Sequence, residues 1–309
     1  MDTQPINETQ LQLREHEPLA AHCRFHVGGP ADYFTIATSP EQLIVALKYA
    51  QQHGLRHFVY GGGSNLFFDD AGFRGLVIKL ENGGLQIDGE RLRVSAGAGY
   101  DLGRMVRAAA ERNLGGLEFL ANIPGSVGGA VVGNAGCYGH AVAEVLHSAV
   151  LYEVASGTTR DVERDFFEYG YRHSRLKYTA DYVVLSATFR ATPGDGAQIL
   201  REIDSELSTR LRKHPHSSWC AGSFFKNPGA HLPAWQAIGD AGMGKARVGD
   251  AMLSPLHMNF LVNAGQATSA QIIELVRQIQ RAVREKLGLS LTPEVRYVSP
   301  EGIVELLGE

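Results

Sequence analysis

The distribution of glycine constrains this chain more than any other feature. Of its 36 glycines, 13 gather in GGGSN (61–65), SAGAG (95–99), IPGSVGGAVVGNAG (123–136) and AGMGKARVG (241–249). Glycine adopts left-handed backbone without a Cβ penalty, so ordinary turns account for one or two such segments. Four long ones point to main chain brought close to a large ligand. GGGSN follows an apolar run, HFVY (57–60), and offers successive amide hydrogens in a tight turn, a concavity suited to pyrophosphate. The Ser64 hydroxyl and the Asn65 amide add donors, and the small residues of 123–136 leave room for a flat ring system against the backbone.

Several familiar signatures fail. No G-x-G-x-x-G opens a helix, which disfavours a Rossmann site. Gly128 and Gly133 have the spacing of a P-loop, but Asn134 stands where lysine is needed. No H-E-x-x-H occurs, and His214, His216 and Cys220 form one short cluster without a second ligand pair, so no metal is expected. The expected ligand is a dinucleotide bound without a Rossmann motif.

Hydrophobic periodicity gives a mixed α+β pattern. Ser39 and Pro40 open a helix with Leu43, Ala46, Leu47 and Ala50 on one face, stopped by Gly54. Strands are expected at 57–60 and 76–80. A hairpin at 85–87 and 92–96 closes around Asp88-Gly89. Asp101 caps a helix carrying Leu102, Met105, Val106 and Ala109. Strands at 150–154, 159–162 and 182–189 follow, then a boundary-like ATPGDGAQ (191–198) and a helix over 199–211. The clearest helix starts at a Thr268–Gln271 capping box, carries Ile272, Leu275, Val276, Ile279 and Val283, and ends at Gly288. A final strand is expected over 294–298.

Composition excludes broad classes. With 29 basic and 33 acidic residues the formal charge is −4, which fits no general nucleic-acid binder. The polar start, MDTQPINETQLQLREHEP, lacks the apolar core of a signal peptide, and no run approaches the ~20 apolar residues of a membrane span. Three cysteines, Cys23, Cys137 and Cys220, show no paired spacing and suit a reducing, cytoplasmic setting, in which Asn7-Glu8-Thr9 carries no meaning as a glycosylation acceptor.

Six segments carry a resemblance. VYGGGSNLFFDDAGFRGLVI (59–78), GLEFLANIPGSVGGAVVGNAGCYG (116–139), YGYRHSRLK (169–177), AGSFFKNP (221–228), HMNFLVN (257–263) and LTPEVRYV (291–298) occur in the order expected for UDP-N-acetylenolpyruvoylglucosamine reductases. The similarity runs from about residue 20 to 298. The first two segments are shared in outline with the wider vanillyl-alcohol-oxidase (PCMH) type of FAD-binding fold, and the last four are more specific. The resemblance implies an N-terminal extension over 1–21 and an FAD-binding domain over 22–192, in two subdomains of about 22–80 and 81–192. It also implies a C-terminal α+β substrate-binding domain over 199–298 and a tail over 299–309. The implied reaction uses NADPH and bound FAD to reduce UDP-N-acetylglucosamine enolpyruvate to UDP-N-acetylmuramate, a cytoplasmic step of peptidoglycan synthesis.

The resemblance also implies residue roles. Ser223 in AGSFFKNP matches the proton donor, a weak acid that needs help from its neighbours. Arg172 in YGYRHS matches the arginine whose planar fork meets the substrate carboxylate as charge develops. Glu294 in TPEVRY matches a catalytic glutamate that orients the arginine or the substrate, or acts as an acid. Lys213 and Asn227 are expected to serve the diphosphate and sugar, with His257 as another sugar-nucleotide contact. FAD is expected to meet Gly61, Gly62, Gly63, Ser64, Asn65, Ile123, Ser126, Val127, Gly128, Asn134 and Gly136.

Two departures stand out. No tyrosine-bearing insertion lies between Phe189 and AGSFFKNP, as in the short branch of the family. His22, Cys23 and Arg24 occupy positions where relatives carry small polar residues. Two other readings compete: an FAD oxidase of the same fold, in which Arg172, Ser223 and Glu294 have no evident purpose, and a nucleotide-binding protein without turnover.

Overall fold

The computed structural model describes residues 11–215, 219–229 and 231–304. Asn7-Glu8-Thr9, His216 and the last five residues of the expected tail lie outside them. The chain divides into two units built from interleaved segments, Met1–Arg14, Tyr33–Gly62 and Gly75–Ser208 in the first, Glu15–Asp32, Gly63–Arg74 and Thr209–Glu309 in the second.

In the first unit the helix Pro40–Gln52 forms as its sequence dictates. Ser39 Oγ accepts from Gln42 N at 3.3 Å, proline takes the first turn, and Leu43, Ala46, Leu47 and Ala50 are buried. The strand His57–Tyr60 runs parallel to Phe73–Leu80, pairing His57 with Leu76 and Tyr60 with Lys79. A five-stranded antiparallel sheet follows the order Thr158–Glu163, Leu146–Glu153, Tyr182–Arg190, Arg93–Gly97, Leu85–Asp88. Against it lies the helix Leu102–Ala110, capped by Asp101 through Arg104 N at 2.8 Å. One apolar core joins these layers, including Leu47, Ile78, Met105, Val106, Leu151 and Phe189. Each fully buried aliphatic or phenyl side chain contributes roughly 1.5–3 kcal/mol, which is what holds the glycine loops at its edge in fixed positions.

The second unit carries an antiparallel sheet in the order Trp219–Ser223, Phe260–Asn263, Ala251–Leu253, Arg247–Val248. The helix Ser269–Leu287 begins at the expected capping box, Gln271 N donating to Thr268 Oγ1 at 3.1 Å and Thr268 N to Gln271 Oε1 at 3.3 Å. It buries Ile272, Leu275, Val276, Ile279 and Val283, and stops at Gly288 in left-handed geometry. A smaller sheet sets Leu66–Phe68 parallel to Arg296–Ser299, with Gly302–Val304 on the other side. Phe25, Phe67, Phe224 and Phe225 are fully buried and meet in edge and tilted contacts at 5.3–6.4 Å.

The α+β expectation holds, with two differences in local structure. The last strand starts at Arg296, because the amides of Glu294 and Val295 turn onto the carbonyl of Phe224 instead of entering a ladder. A seven-residue helix, Val127–Gly133, lies inside the third glycine segment, where three glycines in seven residues argue against one. Among the described residues no helix is long and apolar enough to cross a membrane, and no group of three ligating side chains could hold a metal ion.

Candidate active site

Within the first unit the two main glycine segments touch. A Cβ on Gly61 would stand 1.9 Å from Ser126 Oγ and 2.8 Å from Ser126 Cβ, and one on Gly62 would stand 3.1 Å from Gly125 Cα. The end of the strand His57–Tyr60 therefore runs against the turn preceding Val127–Gly133, Gly61 on the Ser126 side chain and Gly62 on the Gly125 backbone. Such a cradle suits a long dinucleotide that backbone must approach closely. Ser126 caps the short helix, its Oγ accepting from Gly129 N at 3.4 Å. The amides of Val127 and Gly128 donate to Tyr100 O at 2.9 Å and Ala98 O at 2.7 Å, so a ligand meets these two residues through other atoms. Ile123 closes the turn by donating to Leu120 O at 3.1 Å.

The helix survives its glycines because YGYRHS completes its C-terminal end. Helices leave their last carbonyls without intrahelical partners. Here Tyr169 Oη donates to Val131 O at 3.0 Å and Ser174 Oγ to Val132 O at 2.6 Å. Asn134, left-handed at φ 45°, donates from Nδ2 to Gly170 O at 2.8 Å and accepts at Oδ1 from Ala143 N at 3.0 Å. Gly170 and His173 exchange two backbone bonds of 3.1 Å each, leaving Tyr171 and Arg172 at the tip of a tight turn. Arg172 adopts φ 52° there, a geometry that costs a non-glycine residue roughly 1 kcal/mol or more. Its guanidinium donates to Gly136 O and lies over the Tyr171 ring, with Cζ 5.3 Å from the centroid. Lys177, 2% exposed, donates to the carbonyl of Arg172 at 2.8 Å. Arg172, Asn134, Gly136, Ser126, Val127 and Gly128 thus belong to one assembly with Gly61 and Gly62.

The second unit holds the other candidates. Gly63, at φ 61°, leaves no room for a side chain, since a Cβ would meet His22 O at 2.7 Å and Cys23 Cα at 3.1 Å. Its carbonyl accepts from Arg24 N at 3.0 Å, so the segment His22–Arg24 lies directly against GGGSN. Burial pushes the Cys23 thiol above its ordinary range, which makes it an unreactive packing residue. Ser64 is half-buried within this turn. Asn65 joins the turn to the segment carrying Glu294: its Nδ2 donates to Glu294 O at 3.3 Å and its carbonyl accepts from Arg296 N at 3.1 Å. Ser223 ends the strand Trp219–Ser223, half-buried, opposite Phe260. An irregularity between Cys220 and Ser223, with Gly222 at φ 82°, re-aims the end of that strand. Glu294 is also half-buried, and its amide donates to Phe224 O at 2.7 Å.

Lys213 is exposed at the last residue of the helix Gly196–Lys213. Asn227 is exposed and accepts at Oδ1 from Ala234 N at 3.0 Å. The His257 ring stacks on His214 at 5.1 Å, meets Phe260 edge-on at 5.0 Å, and accepts at Nδ1 from Asn259 N at 3.2 Å. Burial first, and the neighbouring His214 second, push its pKa down to about 4, so at neutral pH it is an uncharged ring.

Several contributors were not singled out from sequence. Tyr169 and Ser174 act on helix carbonyls some 40 positions upstream, which no local pattern reveals. Asn259 carried a signal: a polar amide flanked by Met258 and Phe260 within an apolar run is a candidate for a buried, fully bonded group. It is 4% exposed.

The chain matches two family descriptions, "UDP-N-acetylenolpyruvoylglucosamine reductase, C-terminal domain" over residues 214–298 and "FAD binding domain" over residues 31–163. It is 40% identical over 301 residues to the UDP-N-acetylenolpyruvoylglucosamine reductase of Pelobacter propionicus, covering 97% of this chain and 100% of that protein. It is 36% identical over 301 residues to the protein of the same name from Bacillus subtilis, covering 96% and 97%. The crystal structure of the UDP-N-acetylenolpyruvylglucosamine reductase from Thermus caldophilus superposes with a TM-score of 0.78 at 31% identity, over 93% of this chain and 99% of that one. Near-complete coverage in both directions, joined to an FAD-binding domain and a family-specific C-terminal domain, places this chain in the UDP-N-acetylenolpyruvoylglucosamine reductase family.

Proposed function

We propose that this chain uses NADPH to reduce UDP-N-acetylglucosamine enolpyruvate to UDP-N-acetylmuramate, as a cytoplasmic enzyme of peptidoglycan synthesis belonging to the family's short branch. FAD, when bound, supplies a two-electron carrier between the nicotinamide and the alkene. Gly61 to Asn65, Ile123, Ser126, Val127, Gly128, Asn134 and Gly136 hold it. The close packing of Gly61 on the Ser126 side chain and of Gly62 on the Gly125 backbone supports that role.

The protein's own groups manage charge and protons. Reduction of an enolpyruvyl group builds negative charge toward its carboxylate, where a preorganised cation lowers the barrier most. Arg172 supplies that cation. Ser223 delivers the proton to the carbon next to the one reduced, and Glu294 serves the same proton-delivering side. The bond from Glu294 N to Phe224 O, one residue beyond Ser223, supports pairing these two roles. Lys213 and Asn227 take the diphosphate and sugar, and His257 adds an uncharged contact to the sugar nucleotide.

The observation that carries this reading is the turn at Arg172. A large charged residue occupies a left-handed position, fixed by Asn134 on one side and Lys177 on the other. Backbone strain over-determined by its surroundings concentrates at functional sites. The test is NADPH oxidation with and without the enolpyruvyl sugar nucleotide. Rapid oxidation only when it is present is expected; oxidation of a simple sugar by oxygen without NADPH would select an oxidase instead.

A further inference from the structure

Asn259 is buried at 4% exposure, and the proposed chemistry uses neither of its amide atoms. Both amide atoms of its side chain and its own carbonyl are engaged on the segment that follows Ser223. Its Nδ2 donates to Phe225 O at 2.9 Å and its Oδ1 accepts from Phe225 N at 2.9 Å. Its own carbonyl accepts from Phe224 N at 2.7 Å, while the carbonyl of Phe224 accepts from Glu294 N at 2.7 Å. Every backbone polar group of Phe224 and Phe225 is thereby assigned, three to Asn259 and one to Glu294, with Val295 N also reaching the Phe224 carbonyl at 3.4 Å.

Strand pairing supplies only the two bonds on Phe224; the two on Phe225 come from the Asn259 side chain. The ladder between Trp219–Ser223 and Phe260–Asn263 is already irregular between Cys220 and Ser223, and it ends at the pair Ser223–Phe260. Beyond it only an isolated bridge, Phe225 to Pro293, continues. A side-chain carboxamide that bonds both the N–H and the C=O of one residue replaces two rungs of a ladder and removes the slack that a strand end has. It acts where Ser223 on one side and Glu294 on the other need fixed placement, and a shift of about 1 Å at such groups costs on the order of 10²-fold in rate.

We propose that Asn259 is a positioning residue for proton delivery, holding the Phe224–Phe225 backbone so that Ser223 and Glu294 keep a fixed mutual placement. The proposal rests on the reading of Ser223 and Glu294 as catalytic.

Asn259→Asp tests it with the least disturbance of shape. The acceptor for Phe225 N survives, but the donor to Phe225 O is lost. Three measurements are made on the FAD-loaded protein and its apoprotein, with Ser223→Ala in parallel. In Asn259→Asp, oxidation of the reduced enzyme by the enolpyruvyl sugar nucleotide should slow by about 10–10²-fold, while reduction by NADPH stays within about twofold. Amide hydrogen exchange in the apoprotein should rise about tenfold at Phe225 and Glu294 and stay unchanged in the helix Ser269–Leu287. Equal losses in both half-reactions, or unchanged exchange at Glu294, would overturn the positioning role. If Ser223→Ala slows oxidation by the sugar nucleotide and Asn259→Asp does not, the inference about Asn259 fails while the catalytic reading stands. If Ser223→Ala has no effect, the catalytic reading itself fails.

Discussion

The amide of Glu294 donates to the carbonyl of Phe224 at 2.7 Å, so Ser223 and Glu294, distant in sequence, are one hydrogen bond and one residue from sharing a backbone. Seventy-one positions separate Ser223 from Glu294, and an ordinary strand would have carried Glu294 away on alternating faces. The chain instead interrupts its strand before Arg296 and uses the freed amide to tie the two segments together.

Ser223→Ala removes the proposed proton donor without removing bulk from a core, since Ser223 is half-buried. Rapid-mixing measurements should show reduction by NADPH nearly intact and oxidation by the enolpyruvyl sugar nucleotide slowed about 10²–10⁴-fold, the span typical of a positioned acid. Equal damage to both steps would contradict the role.

Gly61→Ala puts a methyl group 1.9 Å from Ser126 Oγ and 2.8 Å from its Cβ. The neighbour is the cap of a short helix, so relief separates the two glycine segments. The purified variant should retain FAD at least about tenfold more weakly, a loss near 1.4 kcal/mol. Flavin absorbance relative to protein absorbance reads it, and full loading would argue against the cradle.

Ser174→Ala removes the 2.6 Å bond by which the fully buried Ser174 satisfies the carbonyl of half-buried Val132 at the end of the helix Val127–Gly133. An unsatisfied buried carbonyl costs about 1–3 kcal/mol. Thermal unfolding followed by circular dichroism should show a lower midpoint for the variant. An unchanged midpoint would mean the helix end is satisfied another way.

His257 carries a pH signature. Its pKa in the folded protein, about 4, lies below the ordinary histidine value, so the fold binds the neutral ring in preference. The associated stability is fully present above about pH 6.5 and is lost as pH falls from there toward about 4, because the unfolded chain takes up the proton first. Partial exposure reduces the effect to on the order of 2 kcal/mol. His257→Gln should therefore lose less melting temperature than the parent between about pH 7 and about pH 5. Equal losses would place the acid sensitivity elsewhere.

What was legible in sequence was local. Ser39 with Pro40, Asp101, and Thr268 with Gln271 announce helices through atoms within four residues of each other, and all three form as read. The glycine clusters announced main chain close to a large ligand; within the fold, Gly61 and Gly62 pack against Ser126 and Gly125 with little or no room for a Cβ. What was not legible depends on distant partners. Val127–Gly133 is helical because Tyr169 and Ser174 cover its carbonyls, overriding a poor intrinsic propensity. Glu294 leaves its expected strand because Phe224 offers a carbonyl. The left-handed Arg172 follows from Gly170 and His173 closing on each other, which composition alone does not announce.

The central claim is that this chain passes electrons from NADPH to an enolpyruvyl sugar nucleotide through bound FAD. An anaerobic absorbance titration of the purified protein addresses it directly. NADPH should bleach the flavin bands, and stoichiometric UDP-N-acetylglucosamine enolpyruvate should restore them with formation of UDP-N-acetylmuramate. Bands that bleach and stay bleached when the sugar nucleotide is added, or a protein that takes up no flavin, would contradict it.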